Sequence, residues 1–151
     1  MDRAEIPHLS VTELAALIET KQVSPVEAVE AYLDRIEQLN PVVNAYVTVC
    51  AEEARREARQ AEEEIQQGRY RGPLHGVPVA IKDQIHTKGI LTTDGSKLRA
   101  DFLPEEDATV LANLKKAGAV LLGKLNMSEF ALGDANSSAS GAACNPWDLT
   151  R

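Results

Sequence analysis

Apolar residues recur at three- and four-residue steps through the first third of the chain, and in short continuous runs after that. The first regime predicts amphipathic helices and the second predicts strands. Ser10-Val11-Thr12-Glu13 reads as a capping box, in which the serine hydroxyl accepts from the third helical amide and Glu13 reaches back. Leu14, Leu17 and Ile18 then form one face. Ser24-Pro25-Val26-Glu27 is a second capping box, with proline at the first helical position, where its missing N–H costs nothing. Val26, Val29, Leu33 and Ile36 follow on one stripe, and Asn40-Pro41 is expected to end that helix. Val42 to Val49 is short and β-rich. A third helix is expected from Ala51 to Gln67, with a narrow face of Ala51, Ala54, Ala58, Ala61 and Ile65 and a stop at Gly68. The charges on the rest of it read as a solvated helix face.

Beyond Gly68 the pattern changes. Val77 to Ile81 reads as a strand, and Pro78 places it near a sheet edge or at the strand's start. Gly89 and Gly95 punctuate loops. Asp107 is expected to cap a helix carrying Val110, Leu111, Leu114 and Ala117, with Gly118 ending it. Ala119 to Leu122 is a short apolar strand running into Gly123-Lys124. Strand, helix, strand at this spacing is a parallel crossover unit. The expected architecture is α/β, one domain over residues 1–151, with a helical N-terminal segment packed against the sheet.

Net charge changes the picture chiefly by exclusion. At −7, with no long basic run, the chain is a poor match for nucleic acid or an anionic membrane as main partner. No signal peptide and no membrane-length apolar run are visible. Cys50 and Cys144 are far apart and read as reduced thiols of a cytoplasmic protein. His75 and His86 sit in no metal-ligand spacing, and His8 carries no signal, so no metal and no cofactor are expected.

The candidate chemistry lies at Lys82, which closes the run Gly76-Val77-Pro78-Val79-Ala80-Ile81. A lysine at the end of an apolar strand either reaches solvent or, if buried, is neutralised, paired or used. Asp83, next in sequence, points to the opposite face of a strand and need not touch it. Ser137-Ser138-Ala139-Ser140-Gly141 reads as a polar loop. Lys124 and Asp134 are expected at the surface or in packing, Asn126 in a turn, and Met127 in the core.

These residues carry a resemblance. Gly76 to Asp83 resembles the lysine motif of the amidase signature family. In matching order follow Ala108-Thr109-Val110, then Ala117 to Lys124, then Asn126-Met127-Ser128-Glu129-Phe130-Ala131, and last Asn145-Pro146-Trp147-Asp148. The resemblance implies helices packed on a mixed sheet and an amide hydrolase of the Ser–cis-Ser–Lys type. Lys82 would be its catalytic base, made neutral by desolvation in the sheet interior. It also implies that Ala131 and Gly133 line the acyl side of a pocket for a small-molecule amide; the alternative for this segment is a short helix packed in the core.

In the family, a Gly-Gly-Ser-Ser-Gly-Gly stretch follows Asn-Pro-Trp and supplies the bridging serine. This sequence closes at Leu149-Thr150-Arg151, before it. The expectation is therefore an N-terminal fragment lacking both catalytic serines and inactive by itself; a terminal arginine fits a tryptic cut. A free-standing amidase and the glutaminase subunit of a tRNA-dependent amidotransferase are both implied, and Gln84 and Ser128 lean toward the former. The partners expected are a second copy of the protein or a partner subunit, and the competing reading is a non-catalytic fragment that acts through a partner chain. Cut sheet edges would then make the isolated piece oligomeric or aggregation-prone.

Overall fold

The computed structural model describes residues 2–149; the readings attached to Thr150 and Arg151 lie outside them. The elements run α1 (Val11–Glu19), α2 (Pro25–Val43), β1 (Tyr46–Val49), α3 (Ala51–Gln66), β2 (Pro78–Lys82), α4 (Thr109–Lys116) and β3 (Val120–Leu125). Short 3-10 turns cover Arg3–His8, Lys97–Arg99, Glu129–Ala131 and Ala135–Ser137. The chain divides into two compact units. One comprises Met1–Ile36, Cys50–Val79 and Asn113–Leu122; the other comprises Glu37–Val49, Ala80–Ala112 and Gly123–Arg151.

In the first unit both capping boxes form. Ser10 N–H donates to Glu13 Oε2 at 2.8 Å, and Glu13 N–H donates to Ser10 Oγ at 3.3 Å. Ser24 and Glu27 repeat the exchange at 2.8 and 3.1 Å. Each box satisfies amides that the first helical turn leaves without an internal partner. The helices bury Ile6, Leu14, Ala15, Ile18, Val23, Ala28, Ala31 and Ile65 around Val77. The alanine face of α3 is as expected: Ala54, Ala58, Ala61 and Ile65 are buried. Gly68, in the left-handed region at φ +79°, follows the end of that helix. Val120 N–H donates to Val77 O at 2.9 Å.

In the second unit β1 pairs antiparallel with β3, Thr48 opposite Lys124 and Val49 opposite Gly123. Asp83 N–H donates to Leu125 O at 3.0 Å. The residue numbers of this bond and of the Val120–Val77 bond rise together, so β2 and β3 run parallel. The strand order is β1-β3-β2, a mixed sheet with β3 central. Every residue of β3 up to Lys124 is buried, as a doubly flanked strand requires. β2 is an outer strand, where Pro78 is tolerated.

Three local expectations are corrected. α2 does not stop at Asn40-Pro41 but continues to Val43. Proline removes only its own N–H, which this close to the end costs a single bond, and Asn44 closes the helix at φ +50° with its N–H on Asn40 O. β3 does not end at Leu122. Gly123 continues it, because the absence of a side chain admits the Thr48 carbonyl: an added Cβ would lie 2.1 Å from that oxygen. On α4 only Leu111 is buried, and Val110 stands 51% exposed, outside the face assigned to it. Asp107 Oδ1 accepts from Lys88 N–H, and the helix begins at Thr109. No described helix is long and apolar enough to cross a membrane.

Candidate functional site

Lys82 is the last residue of β2, and its side chain is exposed. The expected burial of this ammonium in a sheet interior is therefore corrected. The reason is the strand's alternation: Ile81 is buried toward one face, and Lys82 projects to the other with Ala80 and Pro78, which are only half-covered. Asp83 is 1% exposed. Its Oδ2 accepts from Thr93 N–H at 2.9 Å and from Thr93 Oγ1 at 2.6 Å. Its Oδ1 has no hydrogen bond among the described residues and faces Lys124 Nζ at 3.7 Å. Neighbouring residues of opposite charge are thus kept apart, as the alternation predicts.

Lys124 is the cation inside. It is fully buried in β3, and its ammonium donates to Ile85 O at 2.7 Å and to Thr92 Oγ1 at 2.8 Å. A charge so placed is tolerable only when paired and hydrogen-bonded. The sequence carried a signal for it: a lysine inside the otherwise apolar run Ala119 to Leu125.

The loops beyond are tied by polar side chains. Ser96 Oγ donates to Glu129 Oε1 at 2.6 Å, Phe130 N–H donates to Asp94 O at 2.8 Å, and Arg99 pairs with Asp94. Asn126 organises the turn expected of it. Its Nδ2 donates to Asn44 O and Gly141 O, and its Oδ1 accepts from Met127 N–H and Ser138 Oγ. Met127 is buried, and Ser138 and Ser140 belong to the polar loop. Asp94, Phe130 and Ala131 hold φ of +53°, +51° and +59°. Such conformations are strained for residues with a Cβ and concentrate at functional sites.

Ala131 and Gly133 are both exposed. The turn Glu129–Ala131 buries none of its residues, so the alternative of a short helix packed in the core does not form. Its strained backbone turns these residues outward instead. Lys82, Ala131 and Gly133 share the second unit, and no hydrogen bond or ion pair joins them among the described residues.

The first unit holds a separate ionisable cluster that sequence spacing did not reveal. His75 is 1% exposed, and its Nδ1 accepts from Arg71 N–H at 3.1 Å; its Nε2 lies 3.3 Å from Glu64 Oε2. Burial and then the Arg71 charge push the imidazole below its ordinary value, so the neutral ring carries its proton on Nε2. The hydrogen bonds from the Arg71 guanidinium lower Glu64 to about 2. Burial raises Glu57, against the pull of the Leu121 N–H on its carboxylate. His75, Arg71 and Glu57 line a hollow of about 180 Å³ with Lys115. No cluster of three or more His, Cys, Asp or Glu suited to a metal occurs among the described residues.

The family profile described as Amidase matches residues 27–151. A glutamyl-tRNA(Gln) amidotransferase subunit from Azoarcus sp. (strain BH72) is 51% identical over 143 residues, covering 94% of this chain and 29% of that protein. Among solved structures, one described as an amidase superposes with a TM-score of 0.86 at 36% identity, over 95% of this chain and 33% of the other. The peptide amidase from Stenotrophomonas maltophilia superposes at 0.85 with 34% identity, over 93% and 30%. The chain thus spans about three tenths of the length of the curated relatives it matches.

Proposed function

The chain belongs to the amidase family, and on that basis we propose that residues 1–151 are the N-terminal part of one amidase domain, whose parent hydrolyses the carbon–nitrogen bond of a small amide through a Ser–cis-Ser–Lys triad. In this reading both serines lie outside these residues, and the piece alone is inactive. Lys82 is the base. A serine hydroxyl becomes an effective nucleophile only when its proton is taken, and a lysine takes it only when neutral. The bridging serine passes the nucleophile's proton to Lys82. The serine oxygen attacks the amide carbon, and the proton returns to the departing nitrogen. Ala131 and Gly133 would border the acyl side of the pocket, and both are exposed, as a lining residue must be before the pocket is complete.

The observation that supports this most is the separation of Lys82 from Asp83. The carboxylate is sequestered by Thr93 and faces Lys124, so it forms no ion pair with Lys82. Lys82 is exposed in this chain, so its desolvation falls to the rest of the parent. In the full-length protein, Lys82→Ala should lower the rate of ammonia release from an amide by about 100- to 10,000-fold. Retained activity in a folded variant would remove the assignment.

A second reading is favoured by one finding: the relative at 51% identity is named as an amidotransferase subunit. On that reading the amide is glutamine, and a partner subunit receives the ammonia. Ammonia release from glutamine but not from propionamide would select it, and the reverse would select a free-standing amidase. Either way we place the protein in the cytoplasm, with no cofactor.

A further inference from the structure

We propose that Lys124 is a positioning residue for Lys82, acting through the turn that follows β2; this rests on Lys82 being the catalytic base. The argument begins with cost. Lys124 is 0% exposed, and burying an ammonium is unfavourable even when it is paired. A buried ion pair replaced by apolar residues of similar size is often no less stable. Packing alone therefore does not call for lysine at this place.

What the ammonium does is join the turn after β2, at Ile85 and Asp83, to the loop residue Thr92. It donates to Ile85 O at 2.7 Å, while the same residue's N–H donates to Lys82 O at 2.9 Å. One residue, Ile85, thus links the buried cation to the backbone of the base. Lys124 also donates to the Thr92 hydroxyl, which itself donates to Ile90 O at 3.0 Å. Its charge faces Asp83 Oδ1, whose other oxygen is held by Thr93. Asp83 N–H is fixed in turn on Leu125 O, the residue after Lys124. Asp83 is therefore anchored on Leu125 and faces Lys124, and Lys82 is linked to Lys124 through Ile85. The backbone that carries the exposed lysine is held rigid although the side chain has no partner of its own among the described residues.

A general base misplaced by about 1 Å loses on the order of 100-fold in rate. The test uses the full-length protein and ammonia release from glutamine and from propionamide. Asp83→Asn/Lys124→Met removes both charges together, leaving neither buried alone. The expected result is a cooperative melt, a fall in kcat of about 100-fold and a KM changed less than about twofold, because positioning acts on the transition state. A folded double variant with full kcat, or one changed only in KM, overturns the proposal. Thr92→Val covers the case in which the double variant does not fold: it deletes one bond of Lys124 and should lower kcat by roughly tenfold with KM held, and unchanged kcat overturns the proposal. Lys82→Ala separates the two claims. If it retains activity, the assignment of the base has failed. If it is inactive while Asp83→Asn/Lys124→Met is fully active, only the positioning role has failed.

Discussion

Gly123→Ala is the sharpest test of how β1 and β3 meet. The added Cβ would lie 2.1 Å from Thr48 O and 3.1 Å from Val49 Cα, both backbone atoms of the neighbouring strand. Neither can rotate away, because Thr48 is in register with Lys124 and Val49 with Gly123 itself. Relief requires the strands to part by about 1 Å, which carries their N–H···O contacts past useful length. Each such bond contributes about 1 kcal/mol net. The backbone at φ +156° adds strain of about 1–3 kcal/mol for any residue with a Cβ. The sum is a loss of about 3–5 kcal/mol, in the range of severe single substitutions. Gly68→Ala is the internal control. It also has positive φ, at +79°, but nothing lies within 4 Å of an added Cβ. It should lose about 1–2 kcal/mol, from strain alone. Equilibrium urea unfolding with a shared m-value reads both losses. Equal losses at the two glycines, or a smaller one at Gly123, would refute the close approach.

Two further outcomes follow from the first unit. Leu14→Ala removes a side chain that is 1% exposed in the helical core and should lower stability by about 2–5 kcal/mol, read as a drop in the urea midpoint. Glu64 is held at about 2, below its ordinary value of 4.5, by Arg71. Its folded-state value is the depressed one, so its contribution is complete above 4.5 and is lost as pH falls through about 2. Arg71→Met should flatten that acid limb in a pH series of thermal melts; an unchanged limb would show that another carboxylate sets it.

Much of this chain could be read locally. Capping boxes at Ser10 and Ser24, the alanine face of α3 and the order strand, helix, strand are written within a few residues, because each depends on neighbours three or four places away. The family motif could be read in the same way, since it is a run of adjacent residues around Lys82. Other features depend on residues far apart in sequence. That Gly123 continues a strand instead of ending one depends on Thr48, and that Asn126 holds its turn depends on Asn44 and Gly141. That Val110 is exposed and Leu111 buried depends on what packs against α4, which periodicity alone does not specify.

The two lysines show the division most plainly. Their residue type and apolar surroundings are alike in sequence, which places Lys82 at the end of a strand and Lys124 just past one expected to end at Leu122. Which of them is buried was decided by long-range folding: Lys124 lies in the central strand, covered by β1 and by the loop carrying Ile85 and Thr92, while Lys82 ends an outer strand on its less covered face. Burial of a charge is settled by the partners that folding brings to it, and those partners lie 32 and 39 residues from Lys124 along the chain.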